Sequence, residues 1–227
     1  MACIFLFTGL AVKSQELLAE ERKVQSFSGI NISVPGEIYI VQGETQKLVV
    51  EGTGRVLDNL VTEVKGGQLK IYTPRRWSFR SRDVVNIYLV VTELNNLQLS
   101  GSARILTEGL LKTDDLSVGI SGSGRIELEE LETINLKAAV SGSGRLTIGS
   151  GAMIQNLQVS ISGSGRIDSE HIPAGKVSAR ITGSGRCNVN AVEDLDVRIS
   201  GSGRVAYTGS PLIRSHITGS GRLVNAN

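Results

Sequence analysis

A five-residue motif, [Ser/Thr]-Gly-Ser-Gly-Arg, starts at Ser121, Ser141, Ser162, Thr182, Ser200 and Thr218, and a degenerate Ser-Gly-Ser-Ala-Arg starts at Ser100. By subtraction, successive copies lie 21, 20, 21, 20, 18 and 18 residues apart. That period is too short for a pair of packed helices and fits one turn of a β-helix. Residue parity agrees. In the copy ending at Arg166, Val159, Ile161, Gly163, Gly165 and Ile167 share one parity, and Ser160, Ser162, Ser164, Arg166 and Asp168 share the other. Alternation at period two puts one set inside and the other outside a strand. The residues just after the arginines, Ile105, Ile126, Leu146, Ile167, Cys187, Val205 and Leu223, are all apolar. Cys187 therefore reads as a small, inert core residue rather than a nucleophile.

The expected fold is all-β: a right-handed parallel β-helix of about seven rungs over residues 96–227, on the order of 34 Å long at about 4.8 Å per rung. Both motif glycines fall at inward parity, which suits a corner with close backbone approach or positive φ. Glycine is correspondingly abundant, 27 of 227 residues or roughly 12 %, against a usual value of about 7 %. Residues 15–95 read as a β-rich N-terminal cap. Ile30–Val34 and Ile38–Val41 are strands split by Pro35-Gly36. Lys47–Glu51 is another, and Val56–Leu60 a short helical turn. Val61–Lys65 and Gln68–Tyr72 flank Gly66-Gly67 as a hairpin, and Val84–Thr92 resumes a strand after an Arg75–Arg82 loop.

Residues 1–14 read as a signal peptide: Ala2–Val12 is apolar, and cleavage is expected after Ser14. The run is shorter than the roughly 20 residues that span a bilayer. It lacks a basic n-region, so a true start upstream of Met1 is part of the expectation. No later segment is long and apolar enough to be a transmembrane segment. Export to the periplasm, the outer-membrane surface or the extracellular space follows. Cys187 then stays unpaired after Cys3 leaves.

Several further segments match a known family. Phe27-Ser28-Gly29-Ile30-Asn31, Ile38-Tyr39-Ile40-Val41-Gln42-Gly43, Leu69-Lys70-Ile71-Tyr72 and the serial Ser-Gly-Ser-Gly motifs resemble the auto-transporter adhesin head GIN domain of bacterial, often Bacteroidetes, surface proteins. The resemblance covers nearly the whole mature chain. It implies a right-handed β-helix on an exported protein with no established enzymatic activity. In that family the residue after the last motif glycine is often Asp; here it is always Arg.

The arginines are the sharpest candidate site. In-register stacking of Arg104, Arg125, Arg145, Arg166, Arg186, Arg204 and Arg222 would form a ladder of like charges about 5 Å apart, each pair repelling by roughly 1 kcal/mol in water. Guanidinium suits carboxylate and sulfate through its planar donor fork, so the ladder could bind an acidic polysaccharide, lipopolysaccharide or a host surface glycan or protein. The competing reading is a solvated ladder, partly neutralised by Glu127 and Asp168, that keeps the edge soluble. The Ser/Thr column reads as hydroxyls bonded from rung to rung. Trp77 and Arg80, with Arg75, Arg76, Phe79 and Arg82, form a basic-aromatic loop that could stack on sugars or simply pack on the cap. Glu127, Glu129, Glu130 and Glu132 form an acidic run, the mark of a solvated face.

No nucleotide-binding loop, nucleophile elbow, metal cluster or cofactor motif is present, and a net charge of +2 does not indicate a nucleic-acid partner. The expected function is therefore non-enzymatic: an exported adhesin or binding scaffold. A self-assembling solenoid, pairing through its C-terminal rung as a homo-oligomer, is the alternative. A carbohydrate-active β-helix enzyme is the third class; Asp168 with Glu170, or Asp194 with Asp196, would be its only loose carboxylate pairs.

Overall fold

The computed structural model describes residues 17–81 and 83–227. The expected signal peptide and Arg82 lie outside the described residues. The N-terminal segment contains β1 (Leu18–Glu21), β2 (Gly29–Ile32), β3 (Glu37–Gln42), β4 (Lys47–Gly52), α1 (Gly54–Leu57), β5 (Val61–Lys65), β6 (Gln68–Tyr72) and β7 (Val85–Val91). The motif region follows as β8 (Asn96–Gly101), β9 (Arg104–Lys112), β10 (Asp115–Gly122), β11 (Arg125–Glu132), β12 (Asn135–Gly142), β13 (Arg145–Gly151), β14 (Ile154–Gly163), β15 (Arg166–Gly183), β16 (Arg186–Gly201), β17 (Arg204–Thr208), β18 (Leu212–Thr218) and β19 (Arg222–Asn225).

These strands stack into a parallel β-solenoid. One face runs β6–β2–β8–β10–β12–β14, continues through the second halves of β15 and β16, and reaches β18. The other runs β7–β3–β9–β11–β13, then the first halves of β15 and β16, then β17 and β19. Each motif turns the chain from the first face to the second. A second bend follows: Glu129 and Glu130 are consecutive exposed residues, and the β11–β9 register shifts there. Two outward residues in a row cannot belong to one flat strand. The bend opens a short third side, Glu130–Glu132, paired with Leu110–Lys112.

The chain does not stack in sequence order at its start. The β2–β3 level lies between β6–β7 and β8–β9. Antiparallel strands close that end: β4 on β7, β5 on β6 and β1 on β4. Gly66 and Gly67, both with positive φ, make the tight β5–β6 turn that the Gly-Gly pair predicts.

The interior is a set of aliphatic columns. Ile105, Ile126, Leu146, Ile167, Cys187 and Val205 are all 0 % exposed and in register. Burying each such aliphatic side chain contributes about 1.5–3 kcal/mol. Cys187 takes one place in the column, and burial pushes its thiol up to about 12, which removes the thiolate that chemistry would need.

Candidate functional site: the motif edge

Each motif residue has a distinct physical task. The first glycine takes a backbone conformation closed to other residues: Gly142 has φ 109°. Its carbonyl lies against the next corner, where it accepts a hydrogen bond from the Ser164 N–H at 2.9 Å. The second glycine is buried against the preceding rung. Only the first copy carries Ala there, Ala103, and the level beneath it is β2–β3 rather than another motif rung. The outward residues, two hydroxyls and an arginine, are left to solvent.

With the corners locked, the arginines have no freedom of register. Arg104, Arg125, Arg145, Arg166, Arg186, Arg204 and Arg222 are direct Cα partners from level to level. Glu37 pairs with Arg104 at the N-terminal end of the column. The next outward column reads Leu106, Glu127, Thr147, Asp168, Asn188, Ala206 and Val224. Its two carboxylates neutralise the ladder unevenly. Glu127 accepts two hydrogen bonds from Arg104, at 3.2 and 3.0 Å, and lies 3.9 Å from Arg125. These contacts hold the Arg104 guanidinium above its ordinary pKa. Asp168 accepts a hydrogen bond from Asn188 at 2.8 Å. Burial raises its carboxyl above the usual range, against the opposing pull of Arg166 and Arg145.

The hydroxyl columns differ from expectation. Ser100, Ser121, Ser141, Ser162, Thr182, Ser200 and Thr218 are in register and exposed. Among the described residues no hydrogen bond joins one of these hydroxyls to the next. Partners about 4.8 Å apart stand beyond hydrogen-bond reach, which leaves these exposed hydroxyls open to solvent.

The basic-aromatic loop joins β6 to β7 and therefore occupies the same corner as the motifs, two levels before Arg104. Trp77 meets Phe79 edge-on at 4.5 Å, and the Arg55 guanidinium covers its ring at 4.6 Å. Arg55 is in turn held by Asp83 and the Ser78 carbonyl. Both aromatics are half-buried against the core, while Arg80 stays exposed.

The carboxylates of the two candidate pairs have partners of their own: Asp168 accepts from Asn188, and the others face basic side chains. Asp194 pairs with Arg214 at 3.3 Å and Asp196 with Arg198 at 3.5 Å, in a shallow groove they share with Lys176 and Ser178. Glu170 lies 3.8 Å from His171. Among the described residues no group of three or more His, Cys, Asp or Glu is placed to hold a metal ion, and no helix is long and apolar enough to cross a membrane.

The sequence reading overlooked a second basic column. Ala139, Ser160, Arg180, Arg198 and His216 are stacked on the far side of the hydroxyl crest. The parity that found the ladder, carried two residues before each motif, contained this signal.

Known structures share the architecture. A "putative adhesin" from Bacteroides fragilis superposes with a TM-score of 0.85 at 25 % identity, covering 93 % of this chain and 98 % of that one. A "putative lipid binding protein" from Parabacteroides distasonis gives 0.77 at 26 %, covering 93 % and 97 %. A third, a "putative adhesin" from Parabacteroides merdae, gives 0.74 at 17 %, covering 93 % and 97 %, and shares the fold. No curated protein matches the chain. The family model described as "Putative auto-transporter adhesin, head GIN domain" matches residues 26–211, and the chain belongs to that family.

Proposed function

We propose that this chain is an exported, non-catalytic adhesin-type solenoid that binds an acidic polysaccharide along its motif edge. The observation that carries the reading is the direct register of seven arginines on one edge. Stacking like charges at strand spacing costs roughly 1 kcal/mol per neighbouring pair before screening. A polymer bearing carboxylate or sulfate groups removes that cost and engages each planar guanidinium with paired acceptors. Family membership supports export and adhesion, and the hydroxyl columns beside the ladder suit sugar hydroxyls.

The test is a glycan array probed with residues 15–227 at low and at physiological salt, with vesicles of anionic lipid as a separate arm. The expected result is salt-sensitive binding to acidic glycans that weakens when Arg145, Arg166 and Arg186 become Ser and disappears when all seven ladder arginines become Gln. A blank array at both salts from a folded protein overturns the reading. Binding to vesicles alone moves the ligand from glycan to lipid.

A further inference from the structure

Charge is distributed unevenly along the solenoid axis. Residues 133–227 carry ten Lys/Arg and five Asp/Glu, net +5, which leaves net −3 for residues 1–132. The ladder follows the same gradient. Arg104 and Arg125 are engaged by Glu127, and Asp168 lies in the field of Arg145 and Arg166. Beside Arg186, Arg204 and Arg222 the neighbouring column offers only Asn188, Ala206 and Val224.

The same three levels also carry the second basic column. Reading outward residues across the corner gives Arg180, Thr182, Ser184, Arg186 on one level. The next gives Arg198, Ser200, Ser202, Arg204, and the last His216, Thr218, Ser220, Arg222. A crest of paired hydroxyls thus runs between two rows of basic side chains, and all twelve residues are exposed. Arg198 shares its charge with Asp196 at 3.5 Å. On the two levels before these, the second row is Ala139 and Ser160, so only the Arg186 and Arg204 levels carry an arginine on both flanks, with His216 opposite Arg222 on the last.

From this we infer that the anion-reading part of the edge is its last three levels, a twin-row cradle centred on Arg186, Arg204 and Arg222. It takes a linear polyanion lying along the solenoid axis, with sulfate or carboxylate groups on both flanks of the chain and sugar hydroxyls toward the serine crest. The N-terminal half of the ladder is internally neutralised and contributes little. This rests on the polysaccharide reading given above. Free guanidinium groups release their counterions on binding, whereas a guanidinium already held by a carboxylate must break that pair first.

Two charge-matched triple variants separate the halves: Arg186→Gln/Arg204→Gln/Arg222→Gln and Arg104→Gln/Arg125→Gln/Arg145→Gln. Binding of dextran sulfate, polygalacturonate and neutral dextran is measured by calorimetry over a salt series, with circular dichroism as the folding control. The C-terminal triple is expected to weaken binding by about a hundredfold at low salt, and the N-terminal triple by less than about tenfold. Glu127→Gln, which frees Arg104 and Arg125, is expected to tighten binding and steepen its salt dependence. The tighter of the two acidic polymers names the preferred anion. Equal losses in the two triples overturn the cradle and leave the polysaccharide reading standing. Wild-type binding to neither acidic polymer, or equally to neutral dextran, overturns both.

Discussion

Gly144 leaves no room for a methyl group. A Cβ there would lie 2.6 Å from Ile120 Cγ2 and 3.0 Å from the Gly124 carbonyl oxygen. Similar distances, 2.4–2.6 Å to a side-chain carbon and 2.9–3.2 Å to a carbonyl oxygen, recur at the second glycine of the other motifs, so none of these corners has room for a Cβ. Gly144→Ala is therefore expected to cost about 1–3 kcal/mol in urea unfolding, as overpacking does. Ser143→Ala, one residue earlier and exposed, should stay within about 0.5 kcal/mol. Equal effects at the two sites would mean that the corner relaxes. These roles were half legible beforehand. Inward parity pointed to close approach or positive φ; the structure puts both at the first glycine, where a Cβ on Gly142 would lie 2.6 Å from the Gly122 carbonyl oxygen, and close approach alone at the second. The pairing of Arg104 with Glu127 was legible only as a neighbour relation. Which arginine a carboxylate takes depends on rotamers that no spacing encodes.

At the level of the strand and the rung, period and parity carried most of the information. The alternation of Val159, Ile161 and Ile167 with Ser160, Ser162 and Asp168 gave the faces, and the structure keeps Val159, Ile161 and Ile167 at most 1 % exposed. Apart from β1, which was not anticipated, the N-terminal strands fell within a residue or two of their expected limits, because Pro35-Gly36 and Gly66-Gly67 punctuate them. What the sequence did not encode locally is the interposed β2–β3 level, a long-range pairing with no periodic signature. Nearest-neighbour rungs imply a modular solenoid. Excising residues 121–140 removes one full period and joins Ile120 to Ser141, its in-register equivalent to Ser121. The shortened chain is expected to fold with unchanged β-sheet dichroism and a smaller urea m-value. Loss of cooperative unfolding would show that the rungs are not interchangeable.

For the whole molecule, one hydrophobic core runs from Phe27 to Val205 through the N-terminal levels and the motif rungs alike. The fold thereby keeps its outward columns in register along the full edge, and the proposed function rests on the charge that edge carries. The sequence displayed the ladder openly, since the motif repeats it. The second basic row was less visible, because Arg180, Arg198 and His216 stand outside the repeated motif and show only when its parity is carried two residues back. Binding to an edge that the unfolded chain lacks must stabilise the folded state, by about 2.7 kcal/mol at a ligand concentration a hundred times Kd. The most direct measurement is the thermal unfolding midpoint of residues 15–227 at low salt, with and without dextran sulfate, beside a variant with all seven ladder arginines changed to Gln. The account predicts a rise of about 5–10 °C in the wild-type protein and none in the variant. An unchanged midpoint in the wild type, or an equal rise in both, would contradict it.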